Sequence, residues 1–85
     1  MPSWFEFLRI DSDLAMTFID CARNHSKPEN AARSLGHAHR ALAEIQYSLM
    51  KPTERGLSED EVVILKRRCT EIELALALEG FGISN

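Results

Sequence analysis

The side chains best suited to chemistry lie in one stretch, where His37 and His39 stand two residues apart. On a helix that separation turns ~200° about the axis, so the two imidazoles point to opposite sides, whereas chelation of one ion needs neighbours three or four apart. No Cys or carboxylate falls at an offset that completes a site with either ring, so neither a metal nor another cofactor is expected. Cys21 and Cys69 have no partner at metal-ligand spacing and fall at apolar positions of helical patterns, which predicts two buried free thiols. The thirteen acidic residues are scattered over helix exteriors and caps instead of converging with a His. No serine sits in a strained nucleophile turn, and Gly36, Gly56, Gly80 and Gly82 stand apart, so no phosphate-cradling loop is formed. An enzyme is not expected.

Lys66, Arg67 and Arg68 form the only basic cluster, and Glu71 and Glu73 follow closely, so the run reads as a solvated helix face. With a net charge of −3 the chain has no long-range positive field to draw in nucleic acid or an anionic membrane. No apolar run approaches the ~20 residues a membrane span needs. Residues Met1 to Ile10 lack the basic start of a secretory leader, and Glu6, Asp11 and Asp13 interrupt any apolar stretch, so a cytoplasmic protein is expected. One signalling chemistry stays open. The run Leu35-Gly36-His37-Ala38-His39-Arg40-Ala41-Leu42 resembles the helix of histidine phosphotransfer domains, in which an exposed His is followed by Lys three residues on and Gly four on. Here Arg40 and Ala41 take those places, and the resemblance implies His37 as the phosphoacceptor.

The element that carries these histidines organises the chain. Apolar residues recur at Ala31, Leu35, Ala38, Leu42, Ile45 and Leu49 in steps of four and three, the seam of a long helix. Ser26 and Glu29 have the spacing of a capping box, Pro28 suits the first turn, and Lys51 and Pro52 close the helix. Gly36 inside it costs ~1 kcal/mol relative to Ala, which predicts a compensating close approach by a neighbouring helix.

Upstream, Ser3 and Glu6 open a short aromatic-rich segment with Trp4, Phe5 and Phe7, read either as an N-terminal arm or as a helix extension over residues 1–12. A first helix is predicted over 13–24, with Leu14, Phe18, Cys21 and Ala22 facing inward, ended by Asn24 and His25. Downstream, Pro52 to Leu57 reads as a loop. Ser58 and Glu61 then make a capping box, flanked by the Leu57 and Val62 staple, for a third helix over 58–79. Its seam runs through Val62, Leu65, Cys69, Ile72 and Leu76; Gly80 ends it, and Phe81 opens the 81–85 tail by packing back on Leu76.

The sum is an all-α, antiparallel up-down-up three-helix bundle over 13–80, with helices near 13–24, 27–51 and 58–79 and a short aromatic N-terminal segment. The third helix holds more apolar residues than one seam uses: Ile64, Leu74 and Leu78 lie opposite it, interleaved with Arg67 and Glu71. Cover for that side is expected from the N-terminal aromatics, the Phe81 to Ile83 tail, a second copy or a partner protein. Trp4 and Phe7 are the other exposed-arm candidates for protein binding.

Three helices with small residues on the inner seams resemble microtubule-interacting-and-trafficking (MIT) domains and, more loosely, a tetratricopeptide (TPR) hairpin with one added helix. The resemblance rests on Ala22, Ala31, Ala38, Leu42 and Leu49 in the first two helices and on Leu65, Ile72, Glu73 and Leu76 in the third. The Trp-Leu-Gly-Tyr spacing of a tetratricopeptide repeat is missing. Such domains hold partner helices in grooves, which implies a protein-interaction or self-association module docking through Ile64, Arg67, Glu71, Leu74 and Leu78. The phosphotransfer role at His37 is the alternative.

Overall fold

The structure, a computed structural model, describes residues 3–24 and 26–80. It is built from three helices: α1 (Trp4–Asn24), α2 (Pro28–Leu49) and α3 (Glu59–Leu78). Cross-helix pairs fix their directions. Asp11 meets Glu44 and Phe18 meets His37, so α1 and α2 run oppositely. Arg68 binds Asp13 and Arg23 binds Glu79, so α1 and α3 run the same way. The topology is therefore up-down-up.

The helix starts follow from local hydrogen bonding. Ser3 Oγ accepts from the Glu6 amide and its carbonyl from the Phe7 amide, so α1 begins at Trp4 and the aromatic segment forms its first turns. The helix thus starts about nine residues before the predicted 13–24. Lys27 rather than Ser26 precedes α2, with extended backbone and no side-chain cap; Pro28 supplies the first helical position. A prolyl residue disfavours helical backbone in the residue before it, which moves the boundary to Lys27. The Ser58–Glu61 capping box forms in both directions, at 3.2 Å to Ser58 Oγ and 2.9 Å from the Ser58 amide to Glu61 Oε1. Gly80, with φ +76°, follows the last turn of α3 and donates to the Ala77 carbonyl. The expectations for His25, Phe81 and the tail to Ile83 fall outside the described residues.

Burial follows three rows with heptad-like steps: Leu8, Ser12, Ala15, Ile19 and Ala22; Leu35, Ala38, Leu42, Ile45 and Ser48; Leu65, Cys69, Ile72 and Leu76 with Ala75. Serine and alanine in the first two rows let α1 and α2 approach closely. Ser12 remains satisfied inside because its hydroxyl donates to the Arg9 carbonyl at 2.6 Å.

Three expectations change. Leu14 and Cys21 are exposed, because the continuous helix from Trp4 takes its inward phase from Leu8, Ala15 and Ile19, one ~100° step away from Leu14. The polar Ser12 in that row concealed it. Phe18 is half-buried against the core, Cys69 is a buried free thiol, and burial together with the Glu73 charge pushes its pKa up to about 11. Finally, a Cβ at Gly36 would meet nothing within 4 Å, so no close helix approach explains that glycine.

Candidate docking surface

The inner and outer residues of α3 diverge sharply in environment. Leu65 and Ile72 are fully buried, while Val63 is 56%, Ile64 44%, Leu74 62% and Leu78 79% exposed. Helix geometry explains the split. Leu74 lies ~180° from Leu65, with Val63, Arg67 and Leu78 within about 40° of it and Glu71 and Ile64 along one edge. The structure thus brings Ile64, Arg67, Glu71, Leu74 and Leu78 onto the one solvent-facing side expected from the sequence. Arg67 and Glu71 join none of the described ion pairs, although α3 does use Arg68 and Glu79 to hold α1. The surface is a row of large aliphatic side chains with one cation and one anion at its centre, both left in water.

Trp4 and Phe7 are placed elsewhere. They meet edge to face with centroids 5.7 Å apart and, with Leu8, Glu44, Ser48 and Arg55, line a cleft of about 230 Å3 where α1, α2 and the α2–α3 link converge. The link closes through its own turns, with Gly56 at φ +66°, and this lays the Arg55 guanidinium 4.1 Å above the Trp4 ring. The aromatics therefore cover the α2–α3 link and leave the outer side of α3 open.

Against this cleft lies a pair of acids. Burial first, then a hydrogen bond to Glu44 and its negative charge, raise the Asp11 pKa from 3.8 to about 6. Asp11 Oδ2 is buried with no donor, so this position holds a proton more tightly than water does, although the carboxylate still predominates at neutral pH. Sequence reasoning missed the pair because Asp11 and Glu44 sit far apart in the chain; only their shared level in the antiparallel α1–α2 packing joins them. It turned Leu14 inward and gave Ile10 no role, whereas with Phe7 both lie half exposed in a second apolar row on α1.

No family model matches this chain, and no curated protein or solved structure does either. Among the described residues no group of three or more His, Cys, Asp or Glu is placed to hold a metal ion, and no helix is long and apolar enough to cross a membrane. His37 and His39 are both exposed on α2; the His37 ring lies 5.1 Å from that of Phe18, tilted by 32°. His37 thus borders the α1–α2 seam, on a different helix from the apolar row of α3.

Proposed function

We propose that this chain is a non-enzymatic protein-interaction or self-association module that docks through the outer side of α3. The observation that carries this reading is the row Ile64, Leu74 and Leu78, held on a well-capped helix whose opposite side is already used by the core. Three large aliphatic side chains in water represent several kcal/mol of unused burial, at ~1.5–3 kcal/mol for each fully covered. Arg67 and Glu71 contribute orientation more than affinity, since charges beside an apolar contact penalise the wrong alignment. The architectural likeness to MIT and TPR bundles, which hold helices against helical grooves, fits the same reading, as does a cytoplasmic setting. The test is a photo-crosslinking amino acid placed at Leu74 or at Leu78, with Arg33 on exposed α2 as the control. A discrete protein adduct from both α3 positions and none from Arg33 is the expected result; equal adducts from all three, or none, would overturn it.

The second reading, phosphoryl acceptance at His37, is favoured by the exposure of that side chain on α2, with Arg40 one turn further on. Incubation with acetyl phosphate should then give an acid-labile adduct that disappears in His37→Ala. An unmodified wild-type chain rules it out.

A further inference from the structure

Resting on the docking reading above, we infer that the partner of α3 is the α3 of a second copy of this chain, paired antiparallel. The residues Ile64, Arg67, Glu71, Leu74 and Leu78 advance by three, four, three and four, the spacing of a seam along which two helices meet. Antiparallel helices bring such positions together in layers, and one register makes every central layer complementary. Ile64 faces the partner's Leu74, Arg67 faces the partner's Glu71, and the two-fold axis repeats both contacts, while at each open end Leu78 falls beside the partner's Asp60, in the exposed first turn of α3 where the carboxylate keeps its water. The axis crosses α3 at the level of Cys69, whose own side chain stays buried in the bundle.

The parallel alignment and the nearest slide fail on charge. A parallel pair sets Arg67 on Arg67 and Glu71 on Glu71. Sliding the antiparallel pair by one heptad sets Arg67 against Leu78 and Glu71 against Leu74, desolvating charges with nothing to meet them. The self-complementary register is an isologous contact, in which one patch serves both protomers. It also gives a role to two side chains that form no ion pair within the described bundle. A foreign helix would need a mirror-image charge order; a second copy has it by symmetry. The four steps from Ile64 to Leu78 cover about 21 Å, a short contact, so association is expected in the micromolar range.

The experiment is the solution mass by light scattering over a concentration series, for the wild-type chain, Arg67→Glu, Glu71→Arg, an equimolar mixture of those two, and Leu74→Glu. Far-UV circular dichroism confirms that each variant keeps its helices, as substitutions at exposed positions should. The wild type should rise from 9.6 kDa toward twice that value. Each charge reversal should weaken dimerisation at least tenfold, because it brings like charges together at both central layers. The mixture should restore it, since one variant then presents acids and the other bases. Leu74→Glu should abolish it. A wild type that stays at 9.6 kDa up to millimolar concentration overturns the second-copy inference while leaving α3 free for a foreign helix. A dimer lost in Leu74→Glu but indifferent to both reversals overturns the register alone. A dimer indifferent to all the substitutions forms through another surface and overturns the second-copy inference, and the photo-crosslinking at Leu74 and Leu78 then decides the docking reading by itself.

Discussion

The cleft between α1, α2 and the link and the open side of α3 are built from similar materials, large apolar side chains with an acid and an arginine among them, yet they behave oppositely. In the cleft the link folds over the aromatics, Arg55 lies on Trp4, and Asp11 is pressed against Glu44 until its proton is held more tightly. On α3 nothing in the described bundle folds over Leu74 or Leu78, and Arg67 and Glu71 remain hydrated. Contact with a second element, rather than composition, decides which polar groups are perturbed; of the cleft's apolar side chains Leu8 is buried, while Trp4 and Phe7 stay 42% and 48% exposed.

The largest test of that contrast compares two leucines. Leu8 forms part of the cleft and is 1% exposed, so Leu8→Ala should cost about 2–5 kcal/mol in denaturant unfolding, through lost burial and the cavity left behind. Leu78→Ala at low protein concentration should move the same curve by less than about 0.5 kcal/mol. Equal losses would mean that the monomer already uses the outer row of α3.

A smaller effect distinguishes the acids. Because the folded-state pKa of Asp11 lies above its ordinary 3.8, the folded protein binds more protons than the unfolded chain between pH 3.8 and about 6. The protonated pair's contribution is therefore fully present below 3.8 and is lost as pH rises toward 6. Asp11→Asn keeps the shape and supplies a permanent donor to Glu44. It should remove that slope and raise stability at pH 7.5 by on the order of 1 kcal/mol, a figure discounted for the solvent that still reaches the pair. Urea midpoints at pH 4, 6 and 7.5 would show it; a mutant with the wild-type slope would mean the two carboxyl groups are not in contact. Glu71→Gln, on the open side, should shift the pH 7.5 value by less than about 0.5 kcal/mol.

These differences mark how much the sequence conveys. Periodicity revealed three helices because each seam repeats over several turns, and Ser58 with Glu61 announced α3 because a capping box is a purely local arrangement. The same periodicity exposed the second, outer row of α3, since a helix apolar on two sides cannot bury both in a three-helix bundle. Ser12 hid the phase of α1, because a buried serine paired to its own helix leaves no apolar mark. The pairs Asp11 with Glu44 and Trp4 with Arg55 depend on which level of one helix meets which level of its neighbour, and no local pattern encodes that. Gly36 shows the opposite error, a local signal read as tertiary. Its surroundings are open, so Gly36→Ala should stabilise the bundle by about 0.5–1 kcal/mol, and a loss in thermal or urea unfolding would mean α2 is approached there after all.

The finest probe of the enclosed region uses the chain's single tryptophan. The Arg55 guanidinium lies 4.1 Å above the Trp4 ring, and its buried Nε has no hydrogen-bond partner, so stacking rather than hydrogen bonding holds it in place. Arg55→Lys preserves the charge but replaces a flat, weakly hydrated cation with a compact, strongly hydrated one that leaves the ring more readily. The expected cost is small, about 0.5 kcal/mol, because a half-buried cation–π contact is worth little more and the unpartnered Nε disappears with it. The spectroscopic change should be clearer than the energetic one. Trp4 is already 42% exposed, and with the guanidinium gone water covers more of the indole face, so its emission should move modestly to longer wavelength, while Arg67→Lys on the open side should leave the emission of the monomer where it is. An unchanged spectrum in Arg55→Lys would mean that the link does not close over Trp4 in solution, and the contrast between the two regions would then rest on Leu8 and the Asp11–Glu44 pair.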